Sequence, residues 1–127
     1  MNRKIGKTFW FDLPVEDLTD AMSFYEGLFN WIYVRLKDSP VSDYVMIQVD
    51  KELIGGIRQV EQGTRGKHEH LSPIIYFTVE ALEPKIKRVK ELGGKLVGER
   101  TDLGEGRGSY QWFRDRAGNL VAFWAQK

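Results

Sequence analysis

Between Thr8 and Val15 two kinds of side chain alternate: Phe9, Phe11, Leu13 and Val15 interleave with Thr8, Trp10, Asp12 and Pro14. A period of two predicts a β-strand with one apolar face and one mixed face. The period then changes. Asp17 has the chemistry of a helix N-cap, and Leu18, Ala21, Met22, Tyr25, Leu28 and Phe29 follow at helical spacing, which predicts a helix laying one apolar stripe on the sheet. Trp31–Leu36 is the next predicted strand, where Trp31 and Tyr33 suit a subunit contact if the strand lies at an edge.

An offset of 64 positions repeats this plan: Phe11, Leu13, Val15, Leu18, Met22, Tyr25 and Leu28 fall on Ile75, Phe77, Val79, Leu82, Ile86, Val89 and Leu92. The chain is read as an internal duplication. In the second half Pro84 suits a first helical turn, Gly93-Gly94 ends that helix, and Lys95–Glu99 is the matching strand. Each half closes with a hairpin, Tyr44–Val49 with Leu53–Arg58 and Ser109–Arg114 with Leu120–Ala125, the second across the Asp115–Asn119 turn. The expected fold class is therefore α+β, with two tandem βαβββ modules in a single domain. Module one spans about residues 5–60, a polar linker about 61–71, and module two about 72–127.

Composition narrows the function classes. With 127 residues, 42% of them hydrophobic, one core is affordable and a second independent domain is not expected. Nineteen Lys and Arg against 18 Asp and Glu give a net charge of +1, so no overall field points to nucleic acid or an anionic membrane. Apolar runs are short and no apolar signal segment follows Met1, so a cytoplasmic protein without a membrane span is expected. Zero cysteines exclude disulfides, thiolate metal sites and Cys nucleophiles.

The tandem βαβββ plan, with Val15-Glu16-Asp17-Leu18 entering a helix that carries Ala21, Phe24 and Tyr25, resembles the vicinal oxygen chelate superfamily of glyoxalase I, extradiol dioxygenases and bleomycin-resistance proteins. Gly27-Leu28-Phe29-Asn30-Trp31, Glu91-Leu92-Gly93-Gly94-Lys95, Phe113-Arg114-Asp115 and Gly118-Asn119 carry the same likeness across nearly the whole chain. The Trp10, Trp112 and Trp124 pattern is most similar to the branch related to lactoylglutathione lyase. The resemblance implies a curved mixed sheet around a small-molecule cleft, and a homodimer. It also implies a divalent metal held by His or Glu at equivalent places on both modules. Those places are Trp10, Ile74, Ala122 and either Gly55 or Gly56, and none of these side chains is a ligand, since an indole nitrogen only donates. No cofactor is expected, and the metal-dependent chemistry of the relatives does not transfer.

If odd positions of the first strand face the helix, even ones face the cleft. Parity then gives a lining of Trp10, Asp12, Met46, Gln48 and Arg58 from module one, and Ile74, Tyr76, Tyr110, Trp112 and Trp124 from module two. Such a lining suits a flat aromatic or conjugated ligand, although the same rings would also simply fill a disused cavity. A carboxylate at Asp12 is costly to bury, so it pairs, for example with Arg58, or meets a ligand donor; a base role for Asp12 alongside Tyr76 is the weaker catalytic alternative.

Three other features read more plainly. His68-Glu69-His70 falls in the polar linker without zincin spacing. Gly104-Glu105-Gly106-Arg107-Gly108 precedes a strand instead of opening a helix, so it reads as a mobile flap with Arg107 a candidate anion contact. Lys85, Lys87, Arg88 and Lys90 read as the solvated face of the second helix. Three functions stay open: a metal-independent small-molecule binder, an enzyme of glyoxalase type or using Asp12 and Tyr76, and a dimeric scaffold.

Overall fold

A computed structural model of the chain describes residues 8–35, 43–61 and 72–126. Among them lie, in order, β1 (Thr8–Val15), α1 (Leu18–Phe29), β2 (Ile32–Val34), β3 (Tyr44–Val49), β4 (Glu52–Gln59), β5 (Ile74–Thr78), α2 (Leu82–Glu91), β6 (Lys95–Asp102), β7 (Ser109–Arg114) and β8 (Leu120–Ala125). The order is βαβββ twice. Two compact units divide these elements: the first runs from Trp10 to Pro73, and the second from Ile74 onward together with Thr8 and Phe9 at the head of β1. The expected linker, including His68-Glu69-His70, lies almost wholly outside the described residues, as does Leu36 at the end of the predicted second strand.

In the first unit the strands run β2-β3-β4-β1. β3 is antiparallel to both neighbours, and β1 is parallel to β4 with Asp12 opposite Gly56 and Leu13 opposite Ile57. Phe11, Leu13 and Val15 pack with Leu18, Ala21, Val45, Ile47 and Ile57 under α1, so the odd positions of β1 are the helix side. Asp17 caps α1, its carboxylate accepting from Asp20 N at 3.0 Å, while Gln59 Oε1 accepts from Leu18 N at 2.9 Å. Two otherwise orphaned donors of the first turn are thereby satisfied. Asn30 ends the helix in a left-handed conformation (φ 60°) with its N–H on Glu26 O.

One expectation needs correction here. The apolar stripe of α1 does not run to its end, because Leu28 is 57% and Phe29 53% exposed. Trp31 and Tyr33 also pack within their unit: Trp31 stacks on Tyr25 with ring centroids 5.0 Å apart, and Tyr33 packs on the core and donates to Met22 O at 3.0 Å. A short edge strand beside a helix end lets both rings close over the helix, which buries apolar area there.

The second unit repeats the plan with strand order β5-β8-β7-β6, β5 parallel to β8 and the others antiparallel. Leu82 of α2, helped by Ile86 and Val89, packs on Val79, Phe113, Phe123 and Ala125. Lys85, Lys87, Arg88 and Lys90 are exposed, as their spacing predicted. β6 continues past the expected Glu99 to Asp102 because a bulge between Val97 and Thr101 absorbs the irregular register. Gln111 fills that bulge, its Nε2 donating to the carbonyls of Val97 and Gly98. At the far end of β6, Arg100 ties the strand to α2 through Glu83 (2.9 Å) and contacts Asp102 and Ser109. The Ser109 hydroxyl, followed by the Arg100 charge, holds the Asp102 carboxyl below its usual pKa.

Candidate functional site

Each unit carries a set of aromatic and polar side chains on the sheet face away from its helix. In the first unit the set is built on β1, β3 and β4. Trp10 and Asp12 alternate with the core residues of β1, and Tyr44, Met46 and Gln48 alternate with Val45, Ile47 and Val49 of β3. Asp12 is only 2% exposed, yet its carboxylate is well supplied with donors. Tyr44 OH donates to Oδ1 at 2.5 Å, Trp10 Nε1 reaches the same oxygen at 3.3 Å, and Arg58 pairs with Oδ2 at 3.1 Å. Trp10 Nε1 also donates to Tyr44 OH at 2.8 Å, and the Arg58 guanidinium lies 5.2 Å from the centre of the Tyr44 ring.

This network answers the desolvation of a buried carboxylate with charge-assisted hydrogen bonds. Its room comes from a missing side chain. A Cβ on Gly56 would fall 1.9 Å from the Tyr44 oxygen, so the phenol occupies the space that any other residue at 56 would take. The pairing of Asp12 with Arg58 was expected from sequence; Tyr44 was not. Its signal was available all the same, because Tyr44 shares strand parity with Met46 and Gln48.

In the second unit the corresponding face holds Ile74, Tyr76, Tyr110, Trp112 and Trp124. Ile74 and Tyr76 are buried, and Trp112 Nε1 donates to Tyr76 OH at 2.9 Å. Tyr110 meets Tyr76 edge to face (centroids 5.5 Å, 79°) and lies tilted against Trp112 at 6.3 Å. Trp124 is the register partner of both Thr78 and Tyr110, and its Nε1 donates to Arg107 O at 2.9 Å. The Tyr76 hydroxyl, the Trp112 and Trp124 indole N–H groups and the Tyr110 ring all have partners, which fixes these rings in place.

The glycine-rich segment is tied together by its own arginine: Arg107 folds back to donate to Leu103 O and Glu105 Oε2, both at 3.1 Å, and Gly104 O accepts from Arg107 N. Gly108, at φ 84°, lies so close to Trp124 that a Cβ would meet the ring at 2.8 Å. The segment is a hydrogen-bonded turn laid against Trp124.

Register also relates the two faces. Asp12 opposite Gly56 matches Tyr76 opposite Ala122, so Asp12 and Tyr76 are equivalent, and Gly56 is the counterpart of Ala122. Gly55 instead faces the core, where a Cβ would strike Phe11. By the same pairing Tyr44 matches Tyr110, Met46 matches Trp112 and Arg58 matches Trp124. The first unit thus carries a charged network where the second carries rings. Gln48 stands apart, next to a bulge in β4 and opposite Ile32.

A tandem βαβββ chain with a polar-aromatic face on each repeat defines a class of α+β protein built by duplication. The family model of the Glyoxalase/Bleomycin resistance protein/Dioxygenase superfamily matches residues 7–123, and the chain belongs to that superfamily. No curated protein sequence matches it. Solved structures of similar fold include a hypothetical protein from Bacillus halodurans C-125 (17% identity, TM-score 0.69, covering 98% of this chain and 96% of that one). A methylmalonyl-CoA epimerase from Mycobacterium tuberculosis is similar at 16% identity and TM-score 0.63, over 98% of this chain and 92% of that one. So is a Mn(II)-bound glyoxalase from Novosphingobium aromaticivorans, at 13% identity and TM-score 0.65, over 98% of this chain but 40% of that one. At these identities the likeness shows the fold alone.

The metal that this superfamily implies can be tested against the residues present. The implied ligand positions are Trp10, Ile74 and Ala122, and register selects Gly56 over Gly55 as the fourth, since Gly56 is opposite Asp12 as Ala122 is opposite Tyr76. They offer an indole whose N–H is already donating, a hydrogen atom and two alkyl groups. Among the described residues no group of three or more His, Cys, Asp or Glu is gathered to hold an ion. The residues at these positions do not fit the metal.

Proposed function

We propose that the chain is a metal-independent small-molecule binding member of its superfamily, taking a small aromatic or conjugated ligand against the ring-lined face of its second unit. The carrying observation is the Tyr76–Tyr110–Trp112 set, held rigid by the Trp112–Tyr76 hydrogen bond. Rings already fixed by one another lose little freedom when a flat molecule stacks on them, which favours binding. The absence of donors at Ile74 and Ala122 supports stacking over chelation as the mode of recognition. A thermal-shift screen of planar heteroaromatic compounds should find ligands that raise Tm in the wild-type chain and not in Trp112→Ala. A screen in which no such compound stabilises the protein would count against the reading.

A second reading is favoured by the short Tyr44–Asp12 hydrogen bond: a metal-independent acid–base enzyme in which Asp12 acts with Tyr44 instead of with Tyr76. Asp12 accepts from Trp10, Tyr44 and Arg58 among its partners, so a base role requires a substrate to displace a donor. Hemithioacetal isomerisation and proton exchange at carbon acids, assayed in wild type and Asp12→Asn, test it; equal rates in both remove this reading. As a soluble cytoplasmic homodimer the protein would meet such metabolites directly, and its oligomeric state is read by light scattering.

A further inference from the structure

One polar group of the second unit has no part in the ring set. Thr78 is 3% exposed, and its Oγ1 has no hydrogen-bond partner among the described residues. Buried hydroxyls are costly to leave unsatisfied, and native structures rarely do so without a water, an ion or a ligand. Strand parity places Thr78 on the face of Ile74 and Tyr76, and register sets it beside Trp124. The orphan hydroxyl therefore sits at the margin of the ring-lined face.

We infer that Thr78 Oγ1 is the hydrogen-bond anchor of the bound molecule, selecting a planar aromatic compound that carries a hydroxyl or carbonyl oxygen. The ring lies on Tyr110 and Trp112 and the oxygen reaches Thr78. A threonine hydroxyl donates and accepts, so both kinds of oxygen fit. The inference rests on the aromatic-face reading above. It also assigns a role to the turn at Gly104–Gly108. Trp124, the large side chain beside Thr78, is pinned to that turn through Arg107 O, and the turn contains four residues of positive φ: Gly104, Glu105, Gly106 and Gly108. Indole and turn move as one piece, and their displacement uncovers Thr78 for the ligand.

The test uses the full chain, β-naphthol as the oxygen-bearing probe and naphthalene as its bare counterpart. Binding is followed through the tryptophan indole N–H signals in proton–nitrogen correlation spectra, in wild type, Thr78→Val and Thr78→Ser. The expected outcome is that both probes shift the Trp112 and Trp124 signals, with β-naphthol binding about tenfold tighter than naphthalene in wild type and Thr78→Ser. In Thr78→Val that preference disappears while naphthalene affinity is unchanged, and the apo protein melts no lower than wild type. Retention of the preference in Thr78→Val overturns the inference but leaves the aromatic-face reading standing. A strongly lowered Tm for Thr78→Val also overturns it, since the hydroxyl would then have an internal partner. If neither probe moves any indole signal, the aromatic-face reading falls and the anchor with it.

Discussion

Gly56 shows how one missing side chain organises a site. The Tyr44 phenol stands where a Cβ at 56 would be, and from there it joins Trp10 to Asp12. Gly56→Ala should therefore displace the phenol from the carboxylate and cost about 1–3 kcal/mol in urea unfolding, the usual scale of overpacking. The same substitution in a Tyr44→Ala background should cost much less, because the clash and the network are one interaction; additive effects in that double-mutant cycle would disprove the coupling. Asp12 and Arg58 were legible as a pair in the sequence because a lone carboxylate on a strand face needs a counter-charge. Gly56 was not, since a glycine gives no sign of which neighbour fills its space.

Elements of this chain are set by caps and turns that have local chemistry and by side-chain ties that do not. The β3–β4 turn places Asp50 and Lys51 at φ 49° and 68°, a left-handed pair that matches strand twist but strains a side-chain-bearing residue. Lys51→Gly should relieve part of that strain and raise stability by up to about 1 kcal/mol, visible as a higher Tm. Tyr33 is a tie of the second kind, linking β2 to α1 through Met22 O. Burial, then the nearby Glu26 carboxylate, raises the Tyr33 pKa above its ordinary value. A raised folded-state pKa contributes stability that is complete below the unfolded pKa and is lost as pH rises through the folded one. Wild type should therefore lose its advantage over Tyr33→Phe under strongly alkaline conditions, and a stability difference that stays constant through that range would contradict the sign.

Across the whole molecule, duplication has kept the backbone and let the two faces diverge. Asp12 and Tyr76, Met46 and Trp112, and Arg58 and Trp124 are matched by register yet differ in charge and shape. The positions where the superfamily implies metal ligands hold Trp10, Gly56, Ile74 and Ala122. Purified protein should accordingly carry no stoichiometric divalent metal, and neither EDTA nor added Mn(II) or Zn(II) should shift Tm, because an ion binding the native state would raise it. About one equivalent of tightly held metal by elemental analysis would show that other donors serve. Similarity to solved structures fixes the fold but leaves this chemistry to the chain's own side chains.

Periodicity alone determined the secondary elements and their repetition, because alternation on β1 and helical spacing on α1 and α2 are local properties that need no partner. It also sorted side chains onto faces, so Trp10, Asp12, Tyr76, Tyr110, Trp112 and Trp124 were assigned to the face opposite the helix. Tertiary structure decided what that parity does not contain: the end of the α1 stripe before Leu28, the closing of Trp31 and Tyr33 over the helix, and the turn at Gly104–Gly108 held on Trp124. Each depends on which side chains meet, or fail to meet, once the chain is folded, and no local period contains that. Tyr44 over Gly56 and Thr78, unpartnered among the described residues, belong to the same category, since space and hydrogen-bond satisfaction exist only once strands are in register.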